Sequence, residues 1–327
     1  MIRRFALSLL LISLSVTCGW AIDFDIPIRC DYGNDCYIQN YVDLDPSKNR
    51  REYECGSLTY DGHKGTDFRV PWADYQSGVE VLAAASGVVL RVRDGIEDRD
   101  ARGRLESVEG YEVGNGVIIK HGDGYETVYA HMKQGSIRVK PGDTVQRGQV
   151  LGLVGLSGLT TFSHLHFGVK FRGKPVCPFK GAEGNNQAEC GSTTGTLWSP
   201  DALADMDYIP TGLLQAGFAG YVPKLPEIVR TKLDTTIDAK APVLVFAVVV
   251  FGVQAGDEVR ARVTTPAGEV FTETDKVIPK NQAQRLLFVG KKLGKRTSWP
   301  PGEYHGEYQL VRRGEEILNV TREVLVR

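Results

Sequence analysis

The chain has 327 residues, a formal net charge of −1 at pH 7 and 37 glycines. The near balance of charge gives no reason to expect a nucleic acid or an anionic membrane surface as a partner. The length allows two domains, and the many glycines favour a β-rich protein with tight turns over a helical one.

The first 21 residues are typical of a secretory signal peptide. Arg3 and Arg4 precede an apolar run from Phe5 to Val16, and small residues lead to Ala21. The apolar run is too short for a stable membrane-spanning helix. We therefore expect export with cleavage after Ala21 and a mature protein without a transmembrane anchor.

Five cysteines follow this signal. Disulfide bonds are expected in an exported chain. Cys177 and Cys190 flank a polar loop, which predicts that they pair. Cys30, Cys36 and Cys55 are clustered near the N-terminus, and the sequence leaves their three possible pairings open.

Composition divides the mature chain into four parts. Residues 22–56 are polar and cysteine-bearing, and residues 57–185 alternate short β-type runs with glycine turns. Residues 186–217 are expected to form a linker. Residues 218–327 repeat apolar β runs at the spacing of a sandwich, which predicts a second, all-β domain.

The β runs predict individual strands in both domains. In the first domain we expect strands at 79–83, 87–92, 116–120 and 125–130, with a surface insertion at 94–112. In the second domain we expect strands at 243–252, 257–263, 268–273, 285–289, 305–312 and 316–326. His305 is expected on a surface strand of this second domain.

Five of the six histidines lie between positions 63 and 166. His63 and Asp67 are four residues apart, and Gly62 and Gly65 beside them let the backbone turn so that both side chains converge. An imidazole nitrogen and a carboxylate oxygen are good zinc donors. This spacing also occurs by chance, and a turn histidine beside a solvated aspartate would explain it as well.

A second pair of histidines has the spacing of a strand. In Ser163–Phe167, His164 and His166 point to one face about 7 Å apart. This suits a metal ligand beside a proton-transfer group, although a polar strand face could also hold two histidines. His131 lies at the end of another β run and, taken alone, suits a hydrogen-bonded core position.

Together these segments supply three ligands and two spare imidazoles. A catalytic zinc site needs three protein ligands and an open position, and the spare imidazoles can move protons during hydrolysis. His121 opens a His-Gly-Asp-Gly turn, where a structural role is expected.

Three motifs in this order, Gly-His-x3-Asp-Phe, Tyr-Ala-His-Met and His-Leu-His-Phe, resemble the lysostaphin/LytM family of peptidoglycan zinc endopeptidases. The stretches 139–145 and 149–152 are also similar to the core of that family, and the resemblance covers roughly residues 57–180. It implies an all-β, two-sheet antiparallel catalytic domain that hydrolyses the peptide cross-links of bacterial peptidoglycan.

The resemblance also implies the roles of five residues. One Zn²⁺ per chain would be bound by His63, Asp67 and His166, and His131 and His164 would be the catalytic histidines. Such family members can be latent, which makes residues 22–56 a candidate plug for the open zinc position.

The chain departs from the family pattern at two places. The stretch 158–163 replaces a common Gly-Pro approach to the first histidine of the pair, and Gly168 stands where an acid is common. Neither position is a ligand, so we expect these changes to affect substrate preference more than chemistry. Tyr60 is a candidate for the tyrosine that the family places in its groove.

Two other interpretations were weighed. One is a catalytically inactive relative that binds the cell wall or regulates another hydrolase, but all five functional positions are filled. The other is a lipoyl or biotinyl carrier domain around residues 139–153, which would not explain the histidines.

A peptidoglycan peptide is the expected partner, and the periplasm is favoured over a secreted or wall-bound location. The sequence leaves open the oligomeric state and which peptidoglycan bond is cleaved.

Overall fold

A computed structural model describes residues 22–102, 109–182 and 189–327. The expected signal peptide, residues 1–21, lies outside these ranges. Strands dominate the described residues and the two α-helices are short, which confirms the prediction of an all-β protein. None of the helices within these ranges has the length and apolarity needed to cross a membrane.

The first domain contains ten strands and one short helix among the described residues. The elements are β1 (Tyr37–Asn40), β2 (Thr66–Arg69), α1 (Trp72–Ser77), β3 (Glu80–Leu82), β4 (Gly87–Arg93), β5 (Asn115–Lys120), β6 (Tyr125–Met132), β7 (Thr144–Val145), β8 (Val150–Leu153), β9 (His164–Phe171) and β10 (Lys174–Val176). The strands predicted at 79–83, 87–92, 116–120 and 125–130 correspond to β3, β4, β5 and β6.

Two antiparallel sheets form this domain, as predicted. The larger has the order β1-β2-β9-β6-β5-β4-β7, with β10 paired to β9, and the smaller pairs β3 with β8. Strand β9 lies between β2 and β6, and its register sets Asp67 opposite His166 and Arg69 opposite His164. The central strand therefore brings together residues that are about a hundred positions apart in the chain.

The N-terminal segment is built into this domain. Strand β1 pairs with β2 at the edge of the larger sheet, and Phe24, Ile38 and Tyr41 are buried in the same core as the central strands. Burial of such side chains contributes roughly 1.5–3 kcal/mol each. Residues 22–56 thus contribute a strand and core side chains to the domain.

The disulfide prediction for Cys177 and Cys190 is wrong. Cys190 pairs with Cys55 across a Cα–Cα distance of 5.3 Å, and Cys30 pairs with Cys36. Cys177 is buried in the hydrophobic core just after β10. Cys190 lies instead beside the N-terminal segment, where Cys55 is close enough to bond.

The remaining strands form a sandwich of two sheets, and the short helix that precedes them packs on the core of the first domain. The elements are α2 (Pro200–Asp205), β11 (Gly212–Ala219), β12 (Thr236–Ile237), β13 (Val243–Val253), β14 (Glu258–Thr264), β15 (Val270–Val277), β16 (Gln282–Lys292), β17 (Gly302–Arg312) and β18 (Glu315–Val326). One sheet has the order β11-β13-β16 and the other β12-β18-β17-β14-β15. Their facing side chains form a core of their own.

The two domains are in contact. Strand β13 is buried along its whole length, because one face lies on the sandwich core and the other is covered by neighbouring segments, with Phe251 reaching the core of the first domain. Tyr37 of β1 donates a hydrogen bond to the Leu213 carbonyl at 2.8 Å, and its ring lies 5.4 Å from that of Phe251. The segment expected to be a linker therefore differs from a free tether: β11 begins within it, at Gly212.

Candidate metal centre

The metal centre lies where β2 meets β9, with His63 in the turn before β2. Asp67 Oδ1 is 3.1 Å from His63 Nε2 and 2.9 Å from His166 Nδ1, and the two nitrogen atoms are 3.2 Å apart. His63 and Asp67 are at most 3% exposed, whereas His166 is partly open to solvent. These three residues form a group that could hold a metal ion.

The hydrogen bonds of His63 fix which nitrogen faces the centre. Nδ1 lies 2.7 Å from the Tyr41 carbonyl oxygen. A carbonyl oxygen only accepts hydrogen bonds, so Nδ1 carries the hydrogen and Nε2 of the neutral ring presents a lone pair. That lone pair points toward the carboxylate of Asp67 and toward His166, an electron-rich arrangement that a cation would balance.

Asp67 is held as a carboxylate. Burial alone would raise its pKa, but the neighbouring imidazoles of His63, His164 and His166 hold the pKa well below its usual range. Its second oxygen, Oδ2, accepts a hydrogen bond from the Asn40 side chain at 2.9 Å. The sequence had no signal for Asn40, because strand pairing between β1 and β2 is what brings it to the site.

His131 stands at the end of β6 with a strained backbone. Its φ of 58° is in the left-handed region, which is uncommon for a residue other than glycine and is found at functional sites. Nδ1 lies 2.8 Å from the Ser157 carbonyl oxygen and donates to it, which leaves Nε2 with a lone pair. Burial, together with His164 and His166, lowers the pKa of His131 well below its usual range.

His164 is oriented by the stretch that departs from the family pattern. Its Nδ1 lies 3.0 Å from the Phe162 carbonyl oxygen and 3.2 Å from Thr160 Oγ1, and its Nε2 is 3.5 Å from Asp67 Oδ1. The rings of His131 and His164 have their centroids 4.7 Å apart. All five residues predicted from the sequence are thus gathered in one site.

Two further residues shape this site. A Cβ atom at Gly65 would overlap the ring of His166, so only glycine leaves that ring its position. Tyr60, the candidate groove tyrosine, is half exposed and its ring lies 4.4 Å from the ring of His63. The Gly-x-Asp pattern could have indicated the role of Gly65, but only the packing of β9 explains it.

The other two histidines lie outside the centre. His121 is buried, with Nδ1 2.8 Å from the Ser86 carbonyl and Nε2 2.8 Å from Thr127 Oγ1, which agrees with a structural role. His305 lies on β17 beside Glu303 and Glu323, on the surface of the sandwich.

Comparison with known proteins places this site in a family. Residues 61–178, which include all five site residues, match the model of Peptidase family M23. Over 118 residues the chain is 37% identical to peptidoglycan DD-endopeptidase ShyA of Vibrio cholerae, a match that covers 36% of this chain and 22% of that protein. It is 35% identical over 116 residues to DD-carboxypeptidase/endopeptidase Mpg of Neisseria meningitidis, again covering 36% of this chain and 22% of the relative.

Among solved structures, the catalytic domain of the prophage-encoded M23 protein EnpA from Enterococcus faecalis is 26% identical. That match covers 45% of this chain and 91% of the other chain, with a TM-score of 0.32. The chain spans 22% of the length of the curated relatives named above, so the likeness concerns one domain and not whole proteins. Residues 61–178 are a domain of Peptidase family M23.

Proposed function

We propose that this protein is a zinc-dependent endopeptidase that hydrolyses the peptide cross-links of bacterial peptidoglycan. The observation that carries this proposal is the meeting of three ligand atoms, from His63, Asp67 and His166, beside two further imidazoles. The names of the similar relatives, a peptidoglycan DD-endopeptidase and a DD-carboxypeptidase/endopeptidase, support the substrate class.

The donor set fits one Zn²⁺. Two imidazole nitrogens and one carboxylate oxygen are typical of catalytic zinc sites, which keep a fourth position for water or substrate. Ligands about 2.0–2.1 Å from a tetrahedral ion lie roughly 3.3 Å from one another. The three atoms here are 2.9 to 3.2 Å apart, which is close to that spacing before any ion has adjusted them.

A zinc ion held by His63, Asp67 and His166 would polarise a scissile carbonyl and lower the pKa of a water molecule. The protein's own part is proton transfer. His131 and His164 each donate a hydrogen bond from Nδ1 to a main-chain carbonyl oxygen. The Nε2 atom of each ring can therefore face the reacting groups. One of them accepts the proton of the attacking water at Nε2, and the other, protonated on both nitrogens, donates from Nε2 to the oxyanion or the leaving amine.

The test is digestion of purified peptidoglycan followed by mass spectrometry of the muropeptides. We expect new free peptide ends with the zinc-loaded protein, no products after chelation, and restored activity when zinc is returned. His131→Ala should lower the rate by about 10²–10⁴-fold, whereas His305→Ala, a surface histidine, should leave it unchanged.

Three outcomes would count against this proposal. Products that persist after chelation would exclude a zinc mechanism, and products that persist with His131→Ala would remove that residue from catalysis. Stoichiometric zinc without any product would favour the inactive relative that binds cell wall or regulates another hydrolase.

We also propose that the protein acts outside the cytoplasm, most simply in the periplasm. The two disulfides of the described residues favour an oxidising compartment, and residues 1–21 have the layout of an export signal. Fractionation of cells that express the full chain, with detection of a product beginning at residue 22, would test both points.

A further inference from the structure

Arg69 lies beside the metal centre. Alternate residues of a strand share a face, so Arg69 and Asp67 of β2 point to the same side of the sheet. The register of β2 and β9 sets Arg69 opposite His164. Arg69 is therefore two residues, or about 7 Å, along the strand from a metal ligand.

The guanidinium group of Arg69 is buried without an acidic partner. Arg69 is 5% exposed; its Nη1 donates to the Gln39 side-chain oxygen, and its Cζ lies 4.8 Å from the centre of the Phe162 ring. Among the described residues no carboxylate is within ion-pair distance of it, and the nearby charges are those of Arg102 and Arg230. Buried charges are usually paired, because removal from water is costly.

Arg69 faces a narrow cleft at the junction of the two domains. We call it the arginine cleft and define it by Arg69, Trp72, Phe162, Val229 and Arg230, which are among its lining residues. The ring of Phe162 stacks on that of His164, with centroids 4.4 Å apart. One lining residue, Phe162, thus contacts a proposed catalytic histidine, and two others, Val229 and Arg230, belong to the C-terminal part of the chain.

The cleft has an excess of positive charge. Arg230 pairs with Asp100 at 2.8 Å, and the same carboxylate also pairs with Arg102. Arg102 and Arg230 therefore share the carboxylate of Asp100, and the guanidinium group of Arg69 near them has no carboxylate partner among the described residues. The lining of the cleft contains no acidic residue among the described residues. This arrangement could therefore bind one more anion in addition to the carboxylate of Asp100.

We propose that the arginine cleft binds a carboxylate of the substrate peptide and that Arg69 is a specificity-determining residue. This inference rests on the proposed function. A planar guanidinium binds a carboxylate through paired hydrogen bonds, and the remaining N–H groups of Arg69 are available for it. An extended peptide advances about 3.3–3.6 Å per residue, so the carboxylate lies within about two residues of the scissile bond.

The test measures binding separately from catalysis. A muropeptide dimer from diamino-acid cross-linked peptidoglycan is titrated calorimetrically into zinc-loaded His131→Ala protein, and so is the same dimer after its carboxylates have been converted into amides. Hydrogen bonds to a charged group contribute about 1.5–3 kcal/mol, so we expect the free carboxylate form to bind about 10–100-fold more tightly.

Variants assign this preference to the cleft. In the same His131→Ala background, Arg69→Lys should reduce the preference to about threefold or less with zinc content unchanged, whereas Arg262→Lys, at a surface ion pair with Glu273, should leave it intact. Both titrations are repeated without zinc, so that a carboxylate held by the ion alone is recognised by loss of the preference. The titrations without zinc test the inference even if the Arg69→Lys variant fails to fold.

Two results would overturn the inference: equal binding of both dimers or no binding of either, and an undiminished preference in folded Arg69→Lys. Failure of the proposed function looks different, because the wild-type protein with zinc bound would then release no product from either dimer, whatever the binding preference.

Discussion

At the scale of single residues, main-chain carbonyls orient the metal centre. His63, His131 and His164 each place Nδ1 within 3.0 Å of a carbonyl oxygen. This contact selects one tautomer and turns Nε2 toward the centre, which is how outer hydrogen bonds prepare histidines for metal binding and proton transfer. The precision of the site thus depends on segments that carry no motif.

Asn40 should contribute measurably to metal affinity. It donates to the free oxygen of the Asp67 carboxylate and so fixes the oxygen that faces the centre. Loss of such an outer partner costs about 10–100-fold in metal affinity. We expect that cost for Asn40→Ala in competition with a chromophoric zinc chelator, and none for exposed Asn49→Ala; equal affinities for the two variants would show that Asn40 has no such role.

Gly65 should be intolerant of a methyl group. The new Cβ atom of Gly65→Ala would overlap the His166 ring, so we expect the ring to move and activity on peptidoglycan to fall by at least about 100-fold, since small displacements of reacting groups have effects of that size. Gly122→Ala is the matched control, because its Cβ meets no atom within 4 Å. Similar activities of the two variants would contradict this account.

The sequence predicted the five central residues but not their supports. His63 and Asp67 have a local spacing, and His164 and His166 have a strand spacing, so both pairs can be recognised without coordinates. Asn40 reaches Asp67 from 27 positions away, and nothing in its neighbourhood distinguishes it from any other polar residue. Arg69 escaped notice for a similar reason: its lack of an acidic partner is a property of the packed structure.

At the scale of elements, short β runs were enough to place most strands. The runs predicted in the C-terminal domain correspond to β13 through β18, because short apolar β-type runs bounded by Gly, Pro or Asp-rich turns are typical of strands. The insertion at 94–112 was expected to lie only on the surface. In the described part of it, Asp94 and Asp98 accept hydrogen bonds from the main chain of Gly135 and Gln134, contacts that depend on how distant loops meet.

His121 should make folding stability depend on pH. It joins Ser86, just before β4, to Thr127 of β6, and burial lowers its pKa. The unfolded chain then binds more protons than the folded one below about pH 6.5, so this contribution is present above that pH and is lost as the pH falls through it. We expect a shallower loss of unfolding free energy in His121→Gln than in the wild type.

Chemical denaturation at several pH values between about 5 and 7.5 would measure this difference. His305→Gln is the matched substitution, at a partly exposed histidine on the surface of the sandwich. Parallel curves for the wild type and His121→Gln would mean that His121 does not contribute to the pH dependence.

At the scale of the whole molecule, the two domains are joined by side-chain contacts as well as by the polypeptide chain. Tyr37, Phe251 and Arg230 join them, and Arg230 also donates to the Thr161 carbonyl at 2.8 Å, in the stretch that orients His164. The C-terminal sandwich could be predicted from its strands. Its position beside the candidate metal centre could not be predicted, because single contacts between distant segments leave no periodic pattern.

The two disulfides should differ in their contribution to stability. Cys55–Cys190 has a sequence separation of 135 and Cys30–Cys36 a separation of 6. Closure of the longer loop restricts the unfolded chain more, which gives about 5 kcal/mol against about 2 kcal/mol in the chain-entropy account. We expect the double variant Cys55→Ser and Cys190→Ser to lose the larger free energy of unfolding in guanidinium. An equal loss in the double variant Cys30→Ser and Cys36→Ser would argue against this ranking.

The pairing of β2 with β9 has a consequence for the timing of assembly. Asp67 and His166 are 99 positions apart, so a chain that is still being synthesised lacks one of the proposed ligands until β9 has emerged. Pairing over such distances forms slowly, and metal binding is coupled to folding. Under the proposed function, hydrolysis would therefore be postponed until the domain is complete, without a separate inhibitor.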